Sequence, residues 1–313
     1  MSLQHFSPGR SVSVRVPASS ANLGPGFDSI GLALGVYDDV EATVTGDELQ
    51  ITVEGHGAGE VPVDDGHLVW RSACIMWAAL DLTPPKGLRL HCRNEIPHSR
   101  GLGSSAAAIV AGMAMALALV QEDIDDAESL ALINRLAADA EGHPDNSSAS
   151  VYGGCTISWA DDHGRGWQTI RPALHPQIRP VLFVPAATLS TDKARAALGA
   201  SVPLSAAAST AGRAALLTEA LTRSPELLLP ATRDWLHQEA RRPAYERSME
   251  LVDRLRQQGH AATISGAGPA VLVLSTTDHA DPIAELTDEW RVLTPGVADA
   301  GVRVVSRSVA STV

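Results

Sequence analysis

The feature that most constrains this chain is a glycine-rich run, residues 97–107 (PHSRGLGSSAA), that leads directly into the apolar run 108–119. Its two glycines allow positive φ and a close approach of a ligand to the backbone, and its serine pair suits an N-cap or a first helical turn. The pattern predicts a loop that feeds a helix, whose free amides and dipole favour an anion such as phosphate. A capped core helix explains the local sequence equally well. The run is not a Walker A loop, because no Lys follows the glycines.

Length and charge limit what such a site can bind. The 313 residues are enough for about two domains. A formal net charge of -12 and a lysine complement of only Lys86 and Lys193 exclude a basic nucleic-acid surface, so an anionic ligand must be held by Arg, backbone amides or a metal ion. The three dispersed cysteines predict a reducing compartment. With no apolar segment of signal-peptide or membrane-spanning length, we expect a cytoplasmic protein without membrane contact.

A second candidate site follows the first predicted strand. Residues 12–16 alternate as a half-buried strand that stops at Pro17. Residues 18–28 then predict a loop of small residues, in which Asn22 and Asp28 supply oriented hydrogen bonds and a negative charge suited to a ligand's ammonium group. An Asx turn and a helix cap explain these two polar residues nearly as well.

Three further elements are predicted between these two sites. Residues 40–44 and 49–53 alternate on either side of a Gly-Asp pair and predict a β-hairpin. Residues 65–80 predict a helix with aromatic residues on its buried face. Residues 88–92 predict the strand that leads into the glycine-rich run.

The third candidate site ends an amphipathic helix predicted at residues 127–140. Residues 141–146 (EGHPDN) suit a helix C-cap and turn, with Gly142 as the terminating residue. The same carboxylates, imidazole and amide also suit a magnesium–phosphate site, where an oxygen ligand binds Mg²⁺ and polar groups orient a hydroxyl nucleophile. We favour the second interpretation, because residues 150–158 predict a turn of small residues into a closely packed strand.

Four ordered segments of the chain resemble motifs of the GHMP kinase family, which includes galactokinase, homoserine kinase, mevalonate kinase and phosphomevalonate kinase. They are residues 16–28, 97–107, 141–146 and 263–271 (TISGAGPAV). The resemblance covers essentially the whole chain, and four motifs in order are far more specific than any one of them. Within the family, residues 17–28 (PASSANLGPGFD) are most similar to the homoserine kinases.

The resemblance implies an α+β fold of two domains. Residues 1–170 would form a ribosomal protein S5 domain 2-like, ATP-binding kinase domain, and residues 171–313 a ferredoxin-like substrate-binding domain. Prolines at 172, 176 and 180 are typical of a linker at that boundary, and residues 181–184 predict a new strand after it. The resemblance also implies a homodimer.

The activity that the resemblance implies is ATP-dependent phosphorylation of the side-chain hydroxyl of L-homoserine, a step of threonine biosynthesis that yields O-phospho-L-homoserine. ATP and Mg²⁺ would be the cofactors. Positioning and charge neutralisation supply most of the rate of phosphoryl transfer, so a general base need not be present. Another kinase of the family, acting on a mevalonate-type or sugar substrate, is the nearest alternative. A decarboxylase that activates mevalonate diphosphate with ATP and an inactive ligand sensor are more distant ones.

The family's site residues are carried over one by one. The phosphate-binding residues are expected to be Pro97, Arg100, Gly101, Leu102, Gly103, Ser104, Ser105, Ala106 and Ala107. The substrate-binding residues are expected to be Asn22, Asp28, His143, Asn146, Thr191, Arg195 and Arg241. Of these, His143, Asn146 and Arg241 are also expected to be catalytic, together with Asp145, which is the residue to test as a base although we expect it to orient its neighbours. Ser104 and Glu141 are expected to bind Mg²⁺, with Asp139 as the alternative carboxylate.

Within that set, each substrate contact has a chemical reason. Asp28 would bind the ammonium group of the amino acid, and Asn146 would lie near the reacting hydroxyl. Arg195 and Arg241 would bind the carboxylate through directional, charge-assisted hydrogen bonds. Arg241 lies in a helix predicted at residues 234–243, where Arg242 is the alternative.

Overall fold

In the computed structural model, which describes residues 6–164, 166–276 and 289–308, the chain forms two sheets with helices packed on them. The strands are β1 (Ser11–Asn22), β2 (Gly26–Val44), β3 (Leu49–Gly55), β4 (Leu88–Asn94), β5 (Cys155–Ala160), β6 (Trp167–Ile170), β7 (Ile178–Pro185), β8 (Ala262–Ile264), β9 (Val271–Thr276), β10 (Trp290–Leu293) and β11 (Arg303–Ser308). The helices are α1 (Leu68–Ala79), α2 (Ser104–Ala118), α3 (Ala127–Glu141), α4 (Asp145–Tyr152), α5 (Thr191–Ala196), α6 (Leu204–Thr222), α7 (Leu228–Ala231), α8 (Gln238–Arg241) and α9 (Glu246–Gln257). This arrangement confirms the predicted α+β class.

Helix α2 lies at the centre of the packing between the first sheet and the helices that cover it. The first sheet has the order β11-β1-β2-β4-β3, with β5 paired to β2 and β6 to β5. Twelve of the fifteen α2 residues are buried, which fits a helix that is apolar on all sides. Gly112 lets α1 approach closely, since a Cβ there would overlap the Val69 carbonyl. The first turn of α2 is thereby fixed against a rigid core.

The second sheet is antiparallel, with the order β10-β7-β9-β8. Helix α9 packs on it through Met249, Leu251, Val252 and Leu255, which are all buried. Their spacing gives α9 one apolar face, as expected for a helix that covers one side of a sheet. The loop between β8 and β9 carries the last of the four sequence motifs toward the first domain.

The predicted hairpin of residues 40–44 and 49–53 is wrong. Strand β4 lies between β2 and β3, pairing antiparallel with β2 and parallel with β3. Leu88 and Leu90 of β4 are fully buried, so this inserted strand contributes to the core. Residues 45–48 cross over its start, and the Thr45 amide donates to the Gly87 carbonyl at 3.1 Å. The turn signal was real, but it marks a crossover instead of a hairpin.

Two other predictions, a loop and a helix, are also wrong in their bounds. Residues 18–28 are largely strand, because β1 continues to Asn22 and β2 begins at Gly26. By contrast, the turn predicted to lead into a strand within residues 150–158 is present, although α4 continues to Tyr152 before it and β5 follows it. The helix predicted at residues 234–243 is reduced to α8, because the Asp234 carboxylate accepts hydrogen bonds from the next amides and caps the chain before the helix starts.

The end of the described chain returns to the first sheet. Strand β11 pairs antiparallel with β1. The predicted domain boundary at residue 170 stays a prediction. Strand β11 comes after that boundary in sequence, although it pairs with β1 of the first sheet. The three cysteines are free thiols, as expected. In the part of the chain that the structure describes, no helix is long and apolar enough to cross a membrane.

Candidate functional site

A cavity of about 500 Å³ brings the sequence motifs together. The predicted residues that line it are Asn22, Asp28, Gly101, Leu102, Gly103, Ser104, Ser105, Glu141, His143, Asp145, Asn146, Thr191, Arg195 and Arg241. They come from the β1–β2 turn, the start of α2, the α3–α4 turn, α5 and α8. Segments more than 200 residues apart in sequence therefore share one space.

The glycine-rich run forms the floor of this cavity. Gly101 and Gly103 have φ values of 74° and 68°, and Gly103 is the N-cap of α2. No side chain caps α2 in the described structure, so its first amides are free for an anion. The Ser265 hydroxyl donates to the Gly101 carbonyl at 2.6 Å and ties the loop to the β8–β9 connection. The uncapped first turn favours a phosphate loop over a capped core helix.

Four of the predicted phosphate-binding residues do not line the cavity. Ala106 and Ala107 are fully buried in the core behind α2, and Pro97 is buried before the loop. The Arg100 guanidinium donates to the carbonyls of Pro185 and Ala186 at 2.9 and 2.8 Å. These residues support the shape of the loop, and Arg100 fastens it to the end of β7.

Asn22 organises the turn between β1 and β2. It has a φ of 69°, its Oδ1 accepts the Asp28 amide at 3.0 Å, and its Nδ2 donates to the Gly266 carbonyl at 3.0 Å. The side chain thus closes the turn between β1 and β2 and also joins the two domains. Asp28, with a φ of 54°, turns its carboxylate into the cavity.

Two arginines, Arg195 and Arg241, supply positive charge to the cavity lining. The Arg195 guanidinium donates to both carboxylate oxygens of Asp28, at 2.9 and 3.2 Å. Arg241 is 2% exposed and lies beside this pair. Both guanidinium carbons lie over the Phe27 ring, at 5.7 Å for Arg195 and 5.4 Å for Arg241. Phe27 was missed by sequence reasoning, and its aromatic type at the end of the glycine turn was the only available signal.

Arg241 is held by neutral partners. Its Nε donates to the Ala194 carbonyl at 3.0 Å, and its Nη1 donates to His237 Nδ1 at 3.4 Å. Burial, reinforced by the charge of Arg195, lowers the pKa of Arg241. Burial also lowers the pKa of His237, whose neutral ring donates from Nε2 to the Gly24 carbonyl at 2.8 Å. A buried guanidinium without a carboxylate of its own is suited to an incoming carboxylate.

The α3–α4 turn supplies the acidic side of the cavity. Gly142, with a φ of 80°, ends α3 as its C-cap, which confirms that part of the turn interpretation. His143 Nδ1 donates to Asp145 Oδ1 at 2.8 Å, and the same oxygen accepts the Asn146 amide at 2.8 Å. The Ser19 hydroxyl donates to Asn146 Oδ1 at 3.0 Å. These bonds both use Asp145 Oδ1, and they leave the side-chain Nδ2 of Asn146 for a ligand.

Two shifted pKa values mark this turn. Burial, together with the charge of Asp145, raises the pKa of Glu141 to about 8 despite nearby His143. Burial alone would lower the pKa of His143, but the hydrogen bond and charge of Asp145, with Glu141, raise it to about 9. Asp145 and a protonated His143 therefore form a buried ion pair at neutral pH.

Glu141 fits a role as a Mg²⁺ ligand. Its Oε2 is buried without a hydrogen-bond partner among the described residues, and Glu141 lines the cavity together with Ser104. A buried oxygen of this kind is stabilised by a cation. Asp139 is exposed and lies outside the cavity lining. The described residues contain no cluster of three His, Cys, Asp or Glu side chains that could hold a metal, so phosphate oxygens and water would have to complete the shell.

Further lining residues were not predicted. They are Leu68, Arg71, Ser99, Ile109, Ala140, Leu189, Ser190, Asp192, Ala267 and Gly268. Arg71 lies on α1, outside all four motifs, and is exposed to solvent. Only the packing of α1 against α2 brings it to the cavity, and the sequence carries no signal for that.

Comparison with known families supports the motif assignment. The family described as GHMP kinases N terminal domain matches residues 67–154, and that described as GHMP kinases C terminal matches residues 205–290. The first match contains the glycine-rich run and the α3–α4 turn. The second contains α8 and the β8–β9 connection.

Comparison with individual proteins points the same way. The chain is 51% identical over 280 residues to the homoserine kinase of Streptomyces avermitilis, covering 89% of this chain and 90% of that protein. It is 49% identical over 306 residues to the homoserine kinase of Streptomyces coelicolor, covering 96% of each. The crystal structure of homoserine kinase from Cytophaga hutchinsonii has the same fold, with a TM-score of 0.80, 23% identity, and coverage of 97% of this chain and all of that one.

Proposed function

This chain belongs to the GHMP kinase family, and we propose that it transfers the γ-phosphate of ATP to the side-chain hydroxyl of L-homoserine. The observation that carries the choice of substrate is the Asp28–Arg195 pair with Arg241 beside it, in the same cavity as the uncapped start of α2. An α-amino acid carries an ammonium group and a carboxylate on the same carbon, so it needs an anion and cations side by side in its site. The phosphates of a phosphoryl donor need free amides that donate to their oxygens.

The amino acid is held by its two charged groups. Its ammonium group pairs with Asp28 and its carboxylate with Arg195 and Arg241, so the substrate replaces the internal ion pair with complementary ones. Thr191 lies one helical turn before Arg195 on α5 and lines the same wall. The side chain of homoserine then extends toward Asn146 and the start of α2. A sugar or mevalonate-type acceptor has no ammonium group for Asp28.

The phosphates are bound without a lysine. The amides of residues 101–105 donate hydrogen bonds to the β- and γ-phosphates, which lie at the positive end of the α2 dipole. We propose that Glu141 and Ser104 hold Mg²⁺, which would neutralise charge on the transferred phosphoryl group. The protein's own contribution is alignment of the hydroxyl with the phosphate, a geometric effect that accounts for much of the catalysis in such reactions.

No side chain needs to act as a general base in this arrangement. Asp145 already accepts hydrogen bonds from His143 and from the Asn146 amide. It orients both residues, and the His143–Asp145 pair fixes the turn that carries Asn146. We propose that Asn146 positions the reacting hydroxyl.

The test is ATP turnover with a panel of acceptors. L-Homoserine should be phosphorylated far faster than L-serine, L-threonine, mevalonate or galactose, and the product should be the O-phosphate by mass. In parallel, L-homoserine should raise the melting temperature in the presence of a non-hydrolysable ATP analogue, because binding stabilises the folded state. Turnover with mevalonate or galactose alone would support a different member of the family.

The remaining implications of the resemblance are also proposals. We propose that the enzyme is a homodimer and cytoplasmic, as its relationship to the family implies. Light scattering after size exclusion measures the first property, and fractionation of the source cells measures the second. A monomeric mass would contradict the homodimer.

A further inference from the structure

A second cavity, of about 550 Å³, shares no lining residue with the candidate active site. It is bounded by α6, α7, α8 and α9, and we call it the arginine cavity. Three guanidinium groups line it: Arg213 from α6, Arg233 from the segment before α8, and Arg256 from α9. Three carboxylates, Asp234, Glu239 and Asp253, line it as well, so the formal charges of the lining balance.

Arg256 is fixed in the wall by neutral acceptors only. Its Nη1 donates to Thr232 Oγ1 at 2.9 Å and to the Ala262 carbonyl at 3.0 Å, and its Nη2 donates to the Leu229 carbonyl at 2.6 Å. Among the described residues, no carboxylate lies within ion-pair distance of it. Burial and the positive charges of Arg233 and Arg213 lower the pKa of Arg256 to about 10. Arg256 therefore lines the cavity without an ion pair to any of the carboxylates in its wall.

The other two arginines flank one exposed aromatic ring. The Arg213 and Arg233 guanidinium carbons lie 5.8 and 5.6 Å from the centroid of Trp235. In the described structure neither makes an ion pair with a carboxylate. Cation–π contacts hold both groups in place but leave their charge and their donors available.

The acidic residues of the cavity are already engaged. Asp234 accepts three backbone hydrogen bonds that cap the start of α8. Glu239 accepts two hydrogen bonds from Arg242 at 2.7 Å, and Asp253 accepts one at 3.0 Å. Arg242, the alternative to Arg241 in the sequence prediction, thus bonds to both carboxylates, and its single charge offsets one of their two negative charges. None of the three acids is placed to neutralise all three cavity arginines.

We propose that the arginine cavity is a second ligand site that binds a phosphate dianion, either inorganic phosphate or the phosphate of a small monoester. In the described structure none of the three cavity guanidinium groups makes an ion pair, so together they can donate to several oxygens of one phosphate. The guanidinium fork matches phosphate oxygens in bidentate geometry. The volume exceeds that of a phosphate alone, so the organic part of a small monoester also has room.

The test is calorimetric titration of the intact enzyme with its active site filled by Mg²⁺ and a non-hydrolysable ATP analogue. The probes are inorganic phosphate, glycerol 3-phosphate and succinate at matched ionic strength. The variant is Arg213→Gln with Arg233→Gln, since neither side chain makes a hydrogen bond that the fold needs. The control is Arg254→Gln, an exposed arginine of α9 that does not line the cavity.

Phosphate or glycerol 3-phosphate should bind the wild type and the control alike, and bind the double variant at least about tenfold more weakly. Tighter binding of one probe identifies whether the site favours free phosphate or a monoester. The bound anion should also change tryptophan emission, and Trp235→Phe should abolish that change. The proposal is overturned by equal binding to the double variant, by equal binding of succinate, or by no binding to the wild type.

Discussion

Asp28 and Arg195 lie 167 residues apart in sequence and form a two-point ion pair, with Arg195 Nη2 2.9 Å from Asp28 Oδ1 and Nη1 3.2 Å from Oδ2. The ammonium and carboxylate groups of an α-amino acid are attached to the same carbon, so their partners must also be neighbours. The pair therefore already has the charge arrangement that such a substrate requires. Arg241 adds a second cation at the carboxylate side.

Arg195→Ala should raise the KM for L-homoserine by at least about tenfold, because removing a charge-assisted hydrogen bond costs roughly 2 to 4 kcal/mol. The KM for ATP should change little, since the contacts of Arg195 are with Asp28 and Phe27 and not with the glycine-rich run. Steady-state kinetics with each substrate varied in turn measures both values.

The chain offers a matched control for this variant. Arg15 forms a similar two-point ion pair with Asp39, both bonds being 2.8 Å, and its side chain is 40% exposed against 42% for Arg195. That pair lies outside the cavity lining. Arg15→Ala should leave both KM values unchanged, whereas unaltered homoserine kinetics in Arg195→Ala would refute the carboxylate assignment.

Asp28→Asn tests the other half of the pair. Asn keeps the size of the side chain but removes the charge that binds the ammonium group, so the KM for L-homoserine should again rise at least about tenfold. The variant should also discriminate less between L-homoserine and an acceptor without an amino group. Competition by 4-hydroxybutanoate, which lacks only the amino group, gives that comparison when it is measured as inhibition. Undiminished discrimination would place the ammonium group elsewhere.

The sequence predicted which residues line this cavity better than it predicted the strands and helices that position them. The motifs located residues that line one cavity because four of them occur in order, although each alone has an ordinary structural explanation. The hairpin prediction failed at residues 45–48, since a turn signal does not reveal that β4 enters between its neighbours. The sequence did not predict that Phe27 and Arg71 belong to the site, because both are brought there by contacts between elements distant in sequence. The short α8 depends likewise on the cap that Asp234 supplies.

Glu141→Gln should raise the Mg²⁺ concentration needed for half-maximal activity by about tenfold or more, because a neutral amide is a much weaker ligand for Mg²⁺ than a carboxylate. Asp139→Asn is the matched control on the same helix, exposed and outside the cavity lining. Magnesium titration at saturating ATP and L-homoserine measures the effect. The reverse pattern, with only Asp139→Asn affected, would assign the metal to Asp139.

Ser105→Ala should affect the nucleotide and spare the amino acid. Ser105 lies in the first turn of α2 and lines the cavity, where its hydroxyl can donate to a phosphate oxygen. We expect the KM for ATP to rise by a few-fold, consistent with loss of one neutral hydrogen bond of about 1 kcal/mol, with the KM for L-homoserine unchanged. A selective change in the homoserine KM would place the phosphates away from this turn.

Asp38 should make the stability of the fold depend on pH. Its carboxylate accepts the Glu95 and Ile96 amides at 2.8 and 2.9 Å, just before the glycine-rich run, and burial raises its pKa from 3.8 to about 7 although these bonds oppose the shift. Between about pH 4 and about pH 7 the unfolded state loses this proton while the folded state keeps it, so stability falls as the pH rises. The full difference in the free energy of unfolding is on the order of 4 kcal/mol.

Asp38→Asn, which keeps an acceptor oxygen, should lack that decline in stability. Denaturant unfolding across this range measures it, and parallel curves for the two proteins would mean that Asp38 is ionised throughout.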